Sequence, residues 1–262
     1  MLGQASGGAA TGPRRWMQRW WGEASIDSRQ KWDVVWPRLR ALPRTLRLLD
    51  AGCGAGTWAL ELAARRPGWR VVGVDLDRAA IAEAERVRQR LGMPNASFAC
   101  ADFLEYRPEE PFDVVLSISS AHYAAESGEG PALFARLASW LRPGGLLVLF
   151  APRRGADVPL VRGLPAPYVL RDLFTPAALG ELCRGAGLAV VTLDPVIGSW
   201  GTLAKQVRRA ADGSRALAAA TYPVQITLAT LDRLRPTLTG HAPSASLLLV
   251  ARREPDRAME AP

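Results

Sequence analysis

Apolar residues along the chain gather into short continuous runs, and amphipathic stretches separate them. LRLLDA (46–51), RVVGVD (70–75), ASFACAD (96–102), PFDVVLS (111–117) and RPGGLLVLFAP (142–152) read as successive strands, the last entered through a turn. Between them, TWALELAARR (57–66), RAAIAEAERVRQRL (78–91) and a stretch over roughly 130–141 repeat their apolar positions at helical spacing. Gly92 and Pro94 close the second of these helices. Such alternation predicts a parallel sheet with helices on both faces. After a helix at TPAALGELCRGAG (175–187) the rhythm changes. LAVVTLDPV (188–196) and SASLLLVAR (244–252) read as two strands, and the interval 197–243 between them reads as additional helices.

The amino-terminal flank has a different texture. Residues 1–13 are rich in Gly, Ala and Ser and are expected to be a disordered tail. Residues 14–41 read as two short helices that hold five of the nine tryptophans: Trp16, Trp20, Trp21, Trp32 and Trp36. The pairs Trp16/Trp20 and Trp32/Trp36 are each spaced i,i+4, which puts each pair on one helical face. Two readings stand: helices packed on the main domain, or a lid whose aromatic face closes over an apolar substrate. The expected organisation is a tail (1–13), an N-terminal helical lid (14–45), a core (46–196 and 244–253), a helical cap insertion (197–243) and a second tail (254–262).

With 262 residues, 48% of them hydrophobic, the chain can bury a core without metal or disulfide staples. Cys53, Cys100 and Cys183 are far apart and form no CxxC pair, which argues against a disulfide framework and against a zinc site. No apolar run approaches the ~18–20 residues of a membrane span. Residues 1–16 contain no apolar stretch of the secretory kind, so a reduced, cytoplasmic protein is expected. The net charge of +8 raises nucleic acid as a partner. Its distribution argues otherwise: the middle of the chain, 48–152, has ten basic and thirteen acidic residues, and the basic excess belongs to the flanks.

That acidic middle holds the chemistry. The first strand ends in Asp50-Ala51-Gly52-Cys53-Gly54-Ala55-Gly56, and Asp75 ends the second strand 19 residues after Gly56. A glycine turn between strand and helix lets a ligand approach the backbone, and a carboxylate about 20 residues on suits a ribose diol. An adenosine-containing ligand is therefore expected. NAD fits poorly, because the third glycine of its fingerprint is replaced by Thr57 and Asp50 would repel a pyrophosphate. S-adenosylmethionine carries a sulfonium and an ammonium and no phosphate, so an acidic loop suits it.

The chain here resembles the class I S-adenosylmethionine-dependent methyltransferases. LLDAGCGAG (48–56), VVGVDLD (71–77), ACADFLEY (99–106), FDVVLSISSAH (112–122) and LRPGGLLVLF (141–150) are similar to five of their motifs, in order. The resemblance implies a doubly wound, Rossmann-like α/β fold: a seven-stranded, mostly parallel sheet with an antiparallel last strand. It assigns Asp50, Gly52, Gly54 and Gly56 to the methionine half of the cofactor, Asp75 to the ribose and Leu76 to packing beside the adenine. Asp102 would accept from the adenine amino group, with Phe103 beside the ring; a helix N-cap is the other reading of Asp102. Cys53 within the loop and Ser117 at the end of the fourth strand complete the expected cofactor-binding set, with S-adenosylhomocysteine as product.

His122 is one of two histidines and follows the fourth strand, at the sheet edge where ligands bind in such folds. Its ordinary pKa near ~6.5 suits proton abstraction at neutral pH, so His122 is the candidate base and Tyr123 a second pocket candidate. His241 reads as a surface loop residue. Strand four lacks the Asn/Asp-Pro-Pro-aromatic motif of DNA-base enzymes, and no Pro-Cys nucleophile is present. The expected partner is a small, partly apolar acceptor rather than nucleic acid. An RNA-modifying enzyme and a non-catalytic cofactor-binding protein are the alternatives. The stretch KQVRR (205–209) raises peripheral membrane contact, but Gly213 and Pro223 are expected to interrupt that helix.

Overall fold

The computed structural model describes residues 26–103, 105–121, 128–154, 161–166, 174–234 and 246–255. Seven strands form one sheet: β1 (Leu46–Ala51), β2 (Trp69–Asp75), β3 (Ala96–Cys100), β4 (Phe112–Ile118), β5 (Leu141–Pro152), β6 (Leu188–Val196) and β7 (Ser246–Arg253). Their order is β3-β2-β1-β4-β5-β7-β6. The β1–β5 pairings are parallel, and β7 lies antiparallel to both β5 and β6. Inserting a reversed β7 between two like-directed strands is what breaks the βαβ rhythm in the sequence.

Among the described residues, seven helices flank the sheet: α1 (Ile26–Leu39), α2 (Thr57–Arg65), α3 (Arg78–Leu91), α4 (Gly130–Ser139), α5 (Pro176–Gly185), α6 (Ser199–Ala210) and α7 (Arg215–Leu234). One face of the sheet buries Leu48, Val71, Val114 and Val148 with Val35 and Leu39 of α1 and Leu62 of α2. The other face buries Leu49, Val115 and Leu149 with Phe134 of α4 and Leu179 of α5. Alternate residues of each strand thus go to opposite cores, which is why both faces read apolar. Asp77 caps α3 by accepting from the Ala79 and Ala80 amides, and the left-handed Gly92 closes it.

Among the described residues the segment expected to hold two amino-terminal helices contains one, α1; Trp16, Trp20 and Trp21 lie outside the described residues. Trp32 and Trp36 do share a face, stacked 5.2 Å apart, and Trp32 packs 4.8 Å from Trp58 of α2. This face braces α1 on the domain. Within the 197–243 interval the described residues form α6 and α7, and one detail differs from the expectation. Gly213 lies in the turn between α6 and α7, but Pro223 lies inside α7, which continues through it. Among the described residues no helix is long and apolar enough to cross a membrane.

Candidate cofactor cradle and acceptor edge

The carboxyl ends of β1, β2, β4 and β5 meet at one edge of the sheet, and the glycine loop turns there. The Gly52 and Cys53 amides both donate to the Val74 carbonyl, at 2.8 and 3.1 Å, folding the loop back over the end of β2. Gly52 has φ +79°, and a β-carbon on it would lie 2.6 Å from Ser120 Oγ and 3.2 Å from the Phe103 ring. Only glycine meets both demands. Gly54, with φ +52°, has nothing within 4 Å of that position. The loop is therefore packed on one side at Gly52 and open at Gly54.

Two carboxylates stand under this loop. Asp75 accepts the Gly54 amide at 2.7 Å on Oδ2 and the Asp77 amide at 2.9 Å on Oδ1. A carboxylate offers about four acceptor sites, so both oxygens keep capacity for further donors. Asp50 is 1% exposed, and its Oδ2 has no hydrogen-bond partner. Burial pushes the Asp50 carboxyl up to about 7; the Ala59 amide opposes that rise and the neighbouring Asp75 charge adds to it. An orphaned buried carboxylate oxygen is costly unless a cation or donor completes it. A ligand presenting an ammonium or sulfonium would supply the missing partner, so the residues present fit S-adenosylmethionine.

The remaining expected residues distribute themselves around this point. Leu76 is 68% exposed directly after Asp75, an apolar side chain presented to the open side. Asp102 is half-buried; its carbonyl accepts from the Glu105 and Tyr106 amides and so closes a turn rather than capping a helix. Phe103 packs edge-on against Trp140, which pins this segment with an indole N–H donated to the Tyr106 carbonyl at 3.2 Å. Cys53 points inward toward Gly73 and donates weakly to the Gly54 carbonyl. Burial, with Asp50 and Asp75 nearby, pushes its thiol well above the ordinary range, so it is inert as a nucleophile.

Ser117 is buried, and its hydroxyl lies 2.7 Å from that of Ser120. Ser120 spends its one proton on the Ala51 carbonyl at 2.7 Å, so Ser117 is the donor of the pair. Ser119 between them takes φ +58°, and its amide donates to the Phe150 carbonyl at 2.9 Å. Of this corner, which locks the end of β4 against the glycine loop and β5, the sequence analysis singles out Ser117 but not Ser119 or Ser120. The serine run after strand four is the only trace of those two in the sequence. His122, Tyr123 and His241 lie outside the described residues. A cleft of about 560 Å³ lined by Trp69, Asn95 and Glu110 opens at the opposite, amino edge of the sheet, apart from this site.

The sequence matches the model of a methyltransferase domain over residues 48–145, which contain the loop, both carboxylates and the serine corner. Residues 48–145 thus match a methyltransferase domain and are similar to the class I S-adenosylmethionine-dependent enzymes. A ubiquinone biosynthesis O-methyltransferase of Bradyrhizobium sp. (strain ORS 278) is 35% identical over 49% of the chain and 48% of its own length. A trans-aconitate 2-methyltransferase of Escherichia coli O139:H28 is 34% identical over 39% of the chain and 38% of its own length. The chain thus spans half or less of these two relatives' lengths. Among solved structures, the [4+2]-cyclase SpnF shares the fold with a TM-score of 0.60 at 21% identity, covering 88% of this chain and 83% of that one.

Proposed function

We propose that the protein is a cytoplasmic methyltransferase that transfers the methyl group of S-adenosylmethionine to a small, partly apolar acceptor. The observation that carries this reading is the unpartnered, buried Asp50 oxygen beneath an open glycine loop, which calls for a cation and not a phosphate. Asp50 supplies countercharge to the methionine half, which Gly52, Gly54 and Gly56 line: Gly54 leaves the backbone open to it, while Gly52 and Gly56 pack the loop against Ser120 and Phe98. Asp75 accepts from the ribose hydroxyls, Leu76 and Phe103 flank the adenine, and Asp102 accepts from its amino group. Cys53 and Ser117, both turned inward, are positioning residues. When bound, the cofactor supplies an electrophilic sulfonium methyl.

The chain's own task is to hold a nucleophile ~3–3.5 Å from that carbon, in line with the breaking bond, and to keep water away. The Ser119–Ser120 corner fixes the rim where the acceptor would sit, and His122, two residues on, takes the acceptor's proton where the nucleophile is a hydroxyl. The core 46–196 with 244–253 holds the cofactor; residues 14–45 and the insertion 197–243 cover the acceptor. The test is calorimetry with S-adenosylmethionine, S-adenosylhomocysteine and NAD, followed by cofactor turnover with a panel of small acceptors. Micromolar binding of the first two without NAD supports the cofactor assignment. NAD binding in their place overturns it.

One observation favours a second reading. A protein named as a cyclase shares this fold, so the fold alone does not require methyl transfer. Cofactor binding without turnover on any acceptor would favour that reading.

A further inference from the structure

The amino-terminal half of α1 reaches the carboxyl edge of the sheet, where it meets α6. Its contact face there is polar. Gln30 donates to the Gly201 carbonyl at 3.0 Å, and one turn away Asp27 meets Lys205 at 2.8 Å. Asp27 also meets Lys31 at 2.7 Å, one carboxylate oxygen to each lysine. Burial alone would raise the Asp27 carboxyl, but the Lys205 and Lys31 ammoniums outweigh it and hold it well below the carboxylate range. The Asp27 carboxyl is therefore ionised at neutral pH. Apolar side chains would join two helices at no desolvation cost, so a polar joint of this kind is a poor device for stability alone.

Lys31 occupies a particular place. Its Nζ lies 5.8 Å from the centre of the Phe150 ring, two residues before β5 ends. The Phe150 carbonyl accepts the Ser119 amide, and Ser120 abuts Gly52. One short path of contacts thus joins the Lys31 ammonium to the glycine loop, by way of the rim that faces the acceptor. Lys31 shares its counter-ion with Lys205 and has three protons to donate, of which Asp27 takes one. The Lys31 and Asp27 side chains keep 14% and 27% of their surface exposed, whereas the Lys205 side chain keeps 3%. Lys205 is sealed; Lys31 faces accessible space. On the same two helices Gln30 Oε1 and Ser199 Oγ are buried without hydrogen-bond partners. These helices thus have polar capacity that the described residues do not use.

We propose that Lys31 is a specificity-determining residue that binds a carboxylate on the methyl acceptor, with Lys205 as the positioning residue that draws Asp27 away from it. The inference rests on the methyltransferase reading above and narrows its acceptor to an organic acid. The carboxylate serves as an anchor: it sits on the Lys31 ammonium, and the ring or chain attached to it extends toward the serine corner, past the end of β5 where Phe150 itself is buried.

The test uses the full chain saturated with S-adenosylhomocysteine and two probes of like shape, phenylacetate and phenylacetamide, titrated by calorimetry. Phenylacetate is expected to bind about tenfold tighter or more. Lys31→Met, which leaves Asp27 paired with Lys205, should remove that preference without changing affinity for S-adenosylhomocysteine, and Lys31→Arg should retain it. Asp27→Asn removes the competing carboxylate and should tighten phenylacetate binding, a change of sign that a merely structural ion pair would not give. Equal affinity for the two probes, no phenylacetate binding, or an acid preference that survives Lys31→Met would each overturn the proposal. Failure to bind S-adenosylhomocysteine would strike the methyltransferase reading itself, and that affinity is measured before either probe is added.

Discussion

Ser120 Oγ lies 2.6 Å from the point a β-carbon on Gly52 would occupy, so the first glycine of the loop and the corner after β4 are fitted to each other. Gly52→Ala must displace Ser120, whose hydroxyl holds the Ala51 carbonyl, and must also adopt a φ of +79°. A loss of about 1–3 kcal/mol of stability and of most cofactor affinity is expected. Gly54→Ala meets open space and incurs the conformational cost alone, so it should destabilise less while still obstructing the ligand. Thermal melts and S-adenosylhomocysteine titrations of the two variants check this; equal stability losses would contradict the packing argument.

The buried Asp50 carboxyl sets a pH dependence. Asp50, with its carboxyl pushed up to about 7 by burial, holds a proton in the ligand-free protein that the unfolded chain releases near ~3.9. Folded protein then binds more protons than unfolded between those values, so the Asp50 contribution to stability falls as pH rises from about 4 to 7 and levels off above. A cationic ligand prefers the ionised form. Affinity for S-adenosylmethionine should therefore rise from pH 6 to 8 and then flatten. Asp50→Asn should abolish the rise, weaken binding, and make the ligand-free protein about 1–3 kcal/mol more stable at pH 8. A flat profile in the parent protein would count against it.

Asp75 makes a complementary case. Removing it with Asp75→Ala deletes the acceptor for the ribose and also frees the Gly54 amide, so affinity for both cofactor forms should fall by roughly 1.5–3 kcal/mol. Unchanged affinity in the folded variant would remove Asp75 from the binding set.

The base carries a narrower expectation. With a hydroxyl acceptor, His122→Ala should lower the single-turnover rate by ~10²–10⁴ and leave cofactor affinity nearly intact. A near-normal rate would reduce His122 to a wall of the pocket.

Much of the fold can be read from the chain because β1, β2, β4 and β5 are doubly buried runs bounded by Gly, Pro and Asp. Helix α3 carries both its cap signals, Asp77 and Gly92. The glycine loop and Asp75 are legible for the same reason: their chemistry depends on neighbours close in sequence. What escapes is set by distant contacts. Asp27 meets Lys205 across most of the chain, and nothing local to either residue announces it. The Ser117–Ser120 corner looks like an ordinary polar stretch until Ala51 and Gly52 are brought against it. Pro223 misleads in the other direction. It removes one amide from α7, yet the residues one turn before it are exposed, where water can satisfy the freed carbonyl, and Thr227 donates to the Pro223 carbonyl at 3.0 Å as the helix continues.

The amino-terminal segment divides into two functions that separate variants can distinguish. Trp32, stacked on Trp36 and packed on Trp58, has the Arg65 guanidinium 4.9 Å from its ring, and Val35 and Leu39 on the same helix are fully buried. This half of α1 is a brace. Trp32→Ala should therefore cost about 2–4 kcal/mol of stability and leave turnover per folded molecule largely preserved. Deleting residues 1–41 would strip these core contacts and confound folding with catalysis. Deleting residues 1–25 keeps α1 whole and removes Trp16, Trp20 and Trp21, which the lid reading assigns to the acceptor pocket. That truncation should leave the melting temperature and S-adenosylhomocysteine affinity within a few-fold of the parent while severely reducing methyl transfer, because an uncovered sulfonium is open to water. Melting temperature, cofactor affinity and turnover measured on both variants decide the matter. Full turnover in the 1–25 deletion would overturn the lid reading of Trp16, Trp20 and Trp21.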